Sequence, residues 1–193
     1  MNGNRVLVLA GIVVVIALVP SFVVWSRYNG LVSSDIQVDN EWAQIQVQYQ
    51  RRADLIPRIV NATKLYINYE QALLTDIAKA RSGWTESLEG SIDEQIVAAE
   101  EFDSVFNRLL AIVVVEDYPE LEADTIVLGL IDELEGTENR IAVARLRYNE
   151  AVTDYNKKVR LFPSNIIANL FGFEEKTYYQ ADENSGQVPN VPT

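Results

Sequence analysis

The sequence predicts an all-α protein: an N-terminal transmembrane helix followed by an antiparallel helical bundle of three long helices and one short C-terminal helix. Two observations carry that expectation. Residues 6–25 form an unbroken, uncharged, apolar run, and most of the following chain repeats its apolar residues at alternating steps of three and four. That spacing lines one face of a helix and fits no strand.

Twenty residues as a helix span roughly 30 Å, the hydrocarbon thickness of a bilayer. A cleavable leader normally has a shorter apolar core ending at a small-x-small site. Here Val19-Pro20-Ser21 places proline in the middle of the one such triplet, with Phe22, Val23, Val24 and Trp25 continuing after it. Residues 6–25 are therefore read as a retained anchor in contact with the lipid bilayer, behind a short flank, 1–5. Trp25, Arg27 and Tyr28 stand where interfacial aromatics and a headgroup-reaching cation belong. Arg5 and Arg27 balance one cation on each side, so positive-inside counting does not orient the span.

Residues 26–33 are expected to be a juxtamembrane linker, with Ser33 and Ser34 capping the first long helix. That helix is expected to run from 34 to 82, a rod roughly 70 Å long. Its stripe is Val38, Trp42, Ile45, Tyr49, Arg52, Ile56, Ile59, Thr63, Tyr66, Glu70, Leu73 and Ile77, with Pro57 as a kink and Ser82-Gly83 as the stop. The second helix should span Ser91 to Glu116. Ser91 and Glu94 have the capping-box spacing, and Tyr118-Pro119 ends the pattern.

The third helix should span Asp124 to Leu161, with acids at its start and Lys157, Lys158 and Arg160 at its end, complementary to the helix dipole. After Phe162-Pro163-Ser164, a short helix over Asn165 to Leu170 should stop at Gly172. The bundle domain is thus 34–181, and the polar, proline-containing tail 182–193 is expected to be flexible.

Composition excludes several functions. The formal charge of -12 argues against nucleic acid, whose phosphates need a basic face. The chain has no cysteine and no histidine, which removes thiolate chemistry, disulfides, the commonest general base and the commonest transition-metal ligand. Neither a cofactor nor a catalytic or metal site is expected. Adjacent acids such as Asp93-Glu94, Glu100-Glu101 and Asp132-Glu133 point in different directions on a helix and read as solvated face.

Four polar residues occupy core-type slots: Arg52, Glu70, Glu138 and Arg145. Burying an unpaired charge costs several kcal/mol. A structural polar network joining Arg51, Arg52, Asp54, Glu138, Asn139 and Arg145 is therefore expected to fix register between the first and third long helices, taken as parallel. Tyr148, Val152 and Tyr155 share a heptad stripe that could serve either as core or as a helix-helix contact for a partner.

Tyr28-Asn29-x-Leu31-Val32, Arg51-Arg52-x-Asp54-Leu55-Ile56-Pro57, Tyr118-Pro119-x-Leu121, Leu134-Glu135-x-Thr137-Glu138-Asn139-Arg140-Ile141 and Phe162-Pro163-Ser164 together resemble the LemA family of bacterial and archaeal membrane proteins. The resemblance covers nearly the whole chain. Residues 111 to 127 depart from it, with a longer apolar run at Ile112 to Val115 and Glu122 in place of a lysine. The resemblance implies one spanning helix, a helical bundle and a domain in the cytoplasm. It implies no activity.

Two functional classes follow. The favoured one is a membrane-anchored helical scaffold that homo-oligomerises or recruits an unidentified protein partner. The alternative is a carboxylate-based enzyme, or a subunit associated with one, in envelope remodelling.

Overall fold

The computed structural model describes residues 3–114 and 124–180, which contain five helices and no strand. These are α1 (Gly3–Thr63), α2 (Gln71–Ser87), α3 (Ile92–Val114), α4 (Thr125–Arg160) and α5 (Ser164–Phe171). The expected helix end at Tyr118-Pro119 and the tail 182–193 lie outside the described residues.

Helix α1 carries the apolar run and does not pause after it. Residues 26–33, expected as a linker, are helical. Ser34 caps nothing. Its hydroxyl donates back to the Gly30 carbonyl at 2.9 Å, the local bond that lets serine sit inside a helix. Among the described residues this is the one helix long and apolar enough to cross a membrane, and its apolar stretch is unburied.

The first long helix is not one rod to residue 82. Helix α1 passes Pro57 and ends at Thr63, where Tyr66 and Ile67 both donate backbone N–H groups to the Thr63 carbonyl, at 2.9 and 2.8 Å. Helix α2 then starts at Gln71 and runs through Ser82-Gly83 to Ser87. Glu70, expected in a core slot, lies in the break and is exposed.

The capping box holds the start of α3. Ser91 N–H donates to Glu94 Oε2 at 2.7 Å, and Glu94 N–H donates to Ser91 Oγ at 3.3 Å. The Ser91 N–H, and the Ser91 hydroxyl donating to the same Oε2 at 3.0 Å, keep the Glu94 carboxyl below the usual carboxylate range. Asp124 Oδ1 caps α4 by accepting from Ile126 N–H at 2.9 Å. Helix α5 ends at Gly172, whose φ of 76° is the left-handed conformation that glycine adopts without penalty.

The chain forms two compact units. Of the described residues, one comprises those up to 41 with 148–178, and the other those of 42–147 with 179 and 180. In the first, Leu31, Ile167 and Ala168 form a core against Val24, Val159 and Phe173. The extended segment after α5 is bound there by Asn156, whose side-chain amide donates to the Lys176 carbonyl and accepts from its N–H, both at 2.9 Å. Lys176 Nζ meets Asp35 at 2.7 Å and Asp39 at 2.8 Å.

In the tyrosine stripe, Tyr148, Val152 and Tyr155 are buried within this unit, and Tyr148 Oη donates to the Thr177 carbonyl at 2.9 Å.

In the second unit, Trp42, Ile45, Tyr49, Ile56 and Ile59 of α1 are buried, as are Leu73, Ile77 and Trp84 of α2, Phe102, Phe106 and Leu109 of α3, and Leu134 and Ile141 of α4. Trp42 Nε1 and Gln46 Nε2 both donate to Gln95 Oε1, at 2.7 and 2.6 Å, which ties α1 to the first turn of α3.

Candidate functional site

The most concentrated chemistry among the described residues is a polar cluster in the second unit. Helical spacing puts Tyr49 and Arg52 on the buried face of α1, three residues apart. Asp103 of α3 stands opposite both. Arg52 Nη1 donates to Asp103 Oδ1 at 2.6 Å, and Tyr49 Oη donates to Asp103 Oδ2 at 2.7 Å. Arg145 of α4 donates through Nη2 to Asp103 Oδ2 and to Tyr49 Oη. Glu138, one helical stretch earlier on α4, closes the other side by accepting from Arg52 Nη2. Tyr179 Oη shares a hydrogen bond with Tyr49 Oη at 3.1 Å.

Two guanidiniums therefore meet two carboxylates, and the charges of the cluster cancel. Rings supply the rest of the environment. The Arg52 guanidinium lies 4.2 Å from the centre of the Phe106 ring, and that of Arg145 lies 4.3 Å from the centre of Tyr179. A weakly hydrated, planar cation tolerates such a setting better than an ammonium. Arg52 is wholly enclosed, so the pairing with Asp103 and Glu138 is a condition of its burial.

Burial pushes the Tyr49 hydroxyl far above its ordinary range, and the Asp103 carboxylate pushes it further. Burial likewise pushes Tyr179 up to about 12. Burial would lower Arg145, but Tyr49 and Asp103 outweigh it and hold the guanidinium protonated beyond its usual range. Neither tyrosine exchanges a proton near neutral pH, and a guanidinium does not give one up. The chemistry available here is cross-linking of three helices and the Tyr179 segment by charge-assisted hydrogen bonds.

Three of the six network residues expected from sequence meet, and the other three lie apart from them and from one another. Arg52, Glu138 and Arg145 come together around Asp103. Arg51 points away and pairs with Glu133 at 2.5 Å on an exposed face. Asp54 accepts from Gln50 at 3.2 Å, also in solvent, and Asn139 lines an open groove of about 380 Å³ with Gln44, Gln48, Arg140, Val143, Ala144 and Arg147. The order of pairing also differs from the parallel one expected. Along α1 from Tyr49 to Arg51 the α4 partners fall from Arg145 to Glu133. The additional reversal at the α1–α2 break is the reason.

Asp103, Tyr49 and Tyr179 complete the cluster and were not assigned to it from sequence. Asp103 lies beside Glu100 and Glu101, where an acid looks like solvated face. Its one signal is spacing: it stands four residues after the buried Ala99 and three before the buried Phe106 on the helix. No group of three or more acidic, histidine or cysteine side chains comes together among the described residues.

At the membrane end, Trp25 and Arg27 are exposed, and the Tyr28 ring packs on Phe171 and Phe173 at centroid distances of 4.8 and 5.8 Å.

The chain is similar to several known proteins. The chain is 25% identical over 189 residues to magnetosome protein MamQ 2 of Paramagnetospirillum magneticum, covering 86% of this chain and 68% of that protein. It is also 25% identical over 162 residues to protein LemA of Metamycoplasma hominis, covering 84% of this chain and 73% of that one. The magnetosome protein MamQ of Magnetospirillum gryphiswaldense is 23% identical over 189 residues, with 86% and 68% covered. The LemA family model matches residues 41–192, most of the sequence, and the chain belongs to the LemA family.

Proposed function

We propose that this protein is a membrane-anchored helical scaffold, tethered through residues 6–25, that homo-oligomerises and recruits protein partners at the bilayer. The observation that carries the reading is α1, which passes without a break from an exposed apolar stretch into Leu31 and Val38, buried positions of the first unit. A helix shared by the anchor and the first unit holds that unit at the membrane.

The central cluster supports the same reading, because its charges are spent on one another. The helical part is taken as an antiparallel bundle, on the opposed order of the α1 and α4 pairs. Relatives named as magnetosome proteins are compatible with a part played at a membrane. Anchoring in a membrane raises the local concentration of copies and so favours weak self-contacts. The resemblance to the family favours the cytoplasmic side for the domain.

Two differently tagged full-length copies expressed together test this. Both should stay with membranes through an alkaline carbonate wash, and each should co-isolate the other after mild detergent extraction. Release by carbonate removes the anchor, and isolation of each tag alone removes self-association. A cysteine placed at Ser185 should react with an impermeant maleimide only after permeabilisation; labelling of intact cells would place the domain outside.

A further inference from the structure

We infer that α5 and the turn before it form a second membrane contact, a lipid-facing apolar surface that lies in the bilayer interface where α1 leaves the membrane. This deepens the tether reading and rests on it.

Helix α5 has two faces. Ile167 and Ala168 are buried with Leu31 of α1. Ile166 and Leu170, one turn apart on the other side, are 56% and 71% exposed, and Phe162 in the preceding turn is 79% exposed. Leu161 and Phe171 are exposed as well. Five large apolar side chains within eleven residues make a contiguous liability in water, of the kind that marks a protein or membrane contact.

Position selects the membrane. Tyr28 lies three residues past Trp25, so it is only about 4.5 Å further along the helix. Its ring contacts Phe171 at a 4.8 Å centroid distance and Phe173 at 5.8 Å. Helix α5 is thereby held at the level where the apolar run of α1 ends, where Phe22 and Trp25 of α1 are exposed as well. An amphipathic helix at that depth buries its apolar face about 5–10 Å into the boundary of headgroups and acyl chains.

Two cations next to α5 are already paired, Lys157 with Asp154 at 3.3 Å and Arg160 with Glu175 at 2.7 Å. The occupant is the apolar interface of a bilayer, reached by the exposed apolar side chains, and a zwitterionic lipid suffices to test it.

The chain has no cysteine, so single labels are unambiguous. Full-length protein carrying an environment-sensitive dye at Ile166→Cys or Leu170→Cys would be reconstituted into phosphatidylcholine vesicles containing lipids with shallow or deep nitroxides. Val14→Cys and Glu150→Cys serve as references within the span and in water. The inference expects the labels at 166 and 170 to be quenched several-fold more than the label at 150, most strongly by the shallow nitroxide, while position 14 responds to the deep one. Quenching at 166 and 170 no greater than at 150, with position 14 still quenched, overturns the lipid contact and leaves the tether standing. Loss of quenching at position 14 as well overturns the tether and this inference with it. Dye-dye quenching between copies without lipid quenching would assign the face to a second copy of the chain. All four positions are exposed, and unchanged circular dichroism would show that the labelled chains are folded.

Discussion

Arg52 of α1 donates to Asp103 of α3 at 2.6 Å, although 51 residues separate them and the arginine side chain is wholly enclosed. Removing one partner of a buried pair strands the other charge and costs about 3–5 kcal/mol. Arg52→Glu should lower the stability of the full-length protein by roughly that amount, measured by denaturant unfolding in mild detergent. Arg52→Met, which removes the charge while keeping apolar length, should cost less. Equal and small effects for both would contradict a buried ionic cluster.

Arg51 provides the contrast. Its pair with Glu133 is as short, but both side chains are substantially exposed, and such pairs contribute about 0–1 kcal/mol. Glu133→Gln should therefore leave the unfolding midpoint nearly unchanged. A loss comparable with that of Arg52→Glu would mean that the exposed face also governs register.

The tyrosines predict an alkaline limit. Folding raises the pKa of Tyr49 and Tyr179, so the folded state holds protons that the unfolded state releases. Their contribution is complete below pH about 10, the unfolded value, and declines as the pH rises through the folded value, about 12 for Tyr179. Stability should fall between pH 10 and 12, and Tyr179→Phe should flatten that fall. A steeper fall in the variant would contradict the assignment.

Asn156 makes two backbone hydrogen bonds to Lys176, each worth about 1 kcal/mol net. Asn156→Ala should destabilise the protein by about 2 kcal/mol and speed amide exchange at Lys176. Unchanged exchange there would show that the segment is held by its other contacts, such as Tyr148 with Thr177.

The elements most visible in the sequence were those with a terminal signal. Ser91 with Glu94, Asp124, and Gly172 marked their helix ends because each supplies a local bond or conformation the backbone needs. The α1–α2 break had no such signal. Residues 64–70 contain neither glycine nor proline, and the stripe reads on through Tyr66. The buried residues are instead Ile67 and then Leu73, a step of six that belongs to no helical face. Without that reversal the α1 and α4 order would be parallel. The core charges Arg52, Glu138 and Arg145 were visible because a charge in an apolar stripe demands a partner. Asp103 was hidden, since an acid beside two others carries no mark of the arginines it will meet.

The most direct test of the scaffold is the absolute mass of the full-length protein in mild detergent, by light scattering with the detergent contribution subtracted. A defined multimer of the 21.7 kDa chain is the predicted result. A monomer at concentrations matching those in the membrane would contradict it.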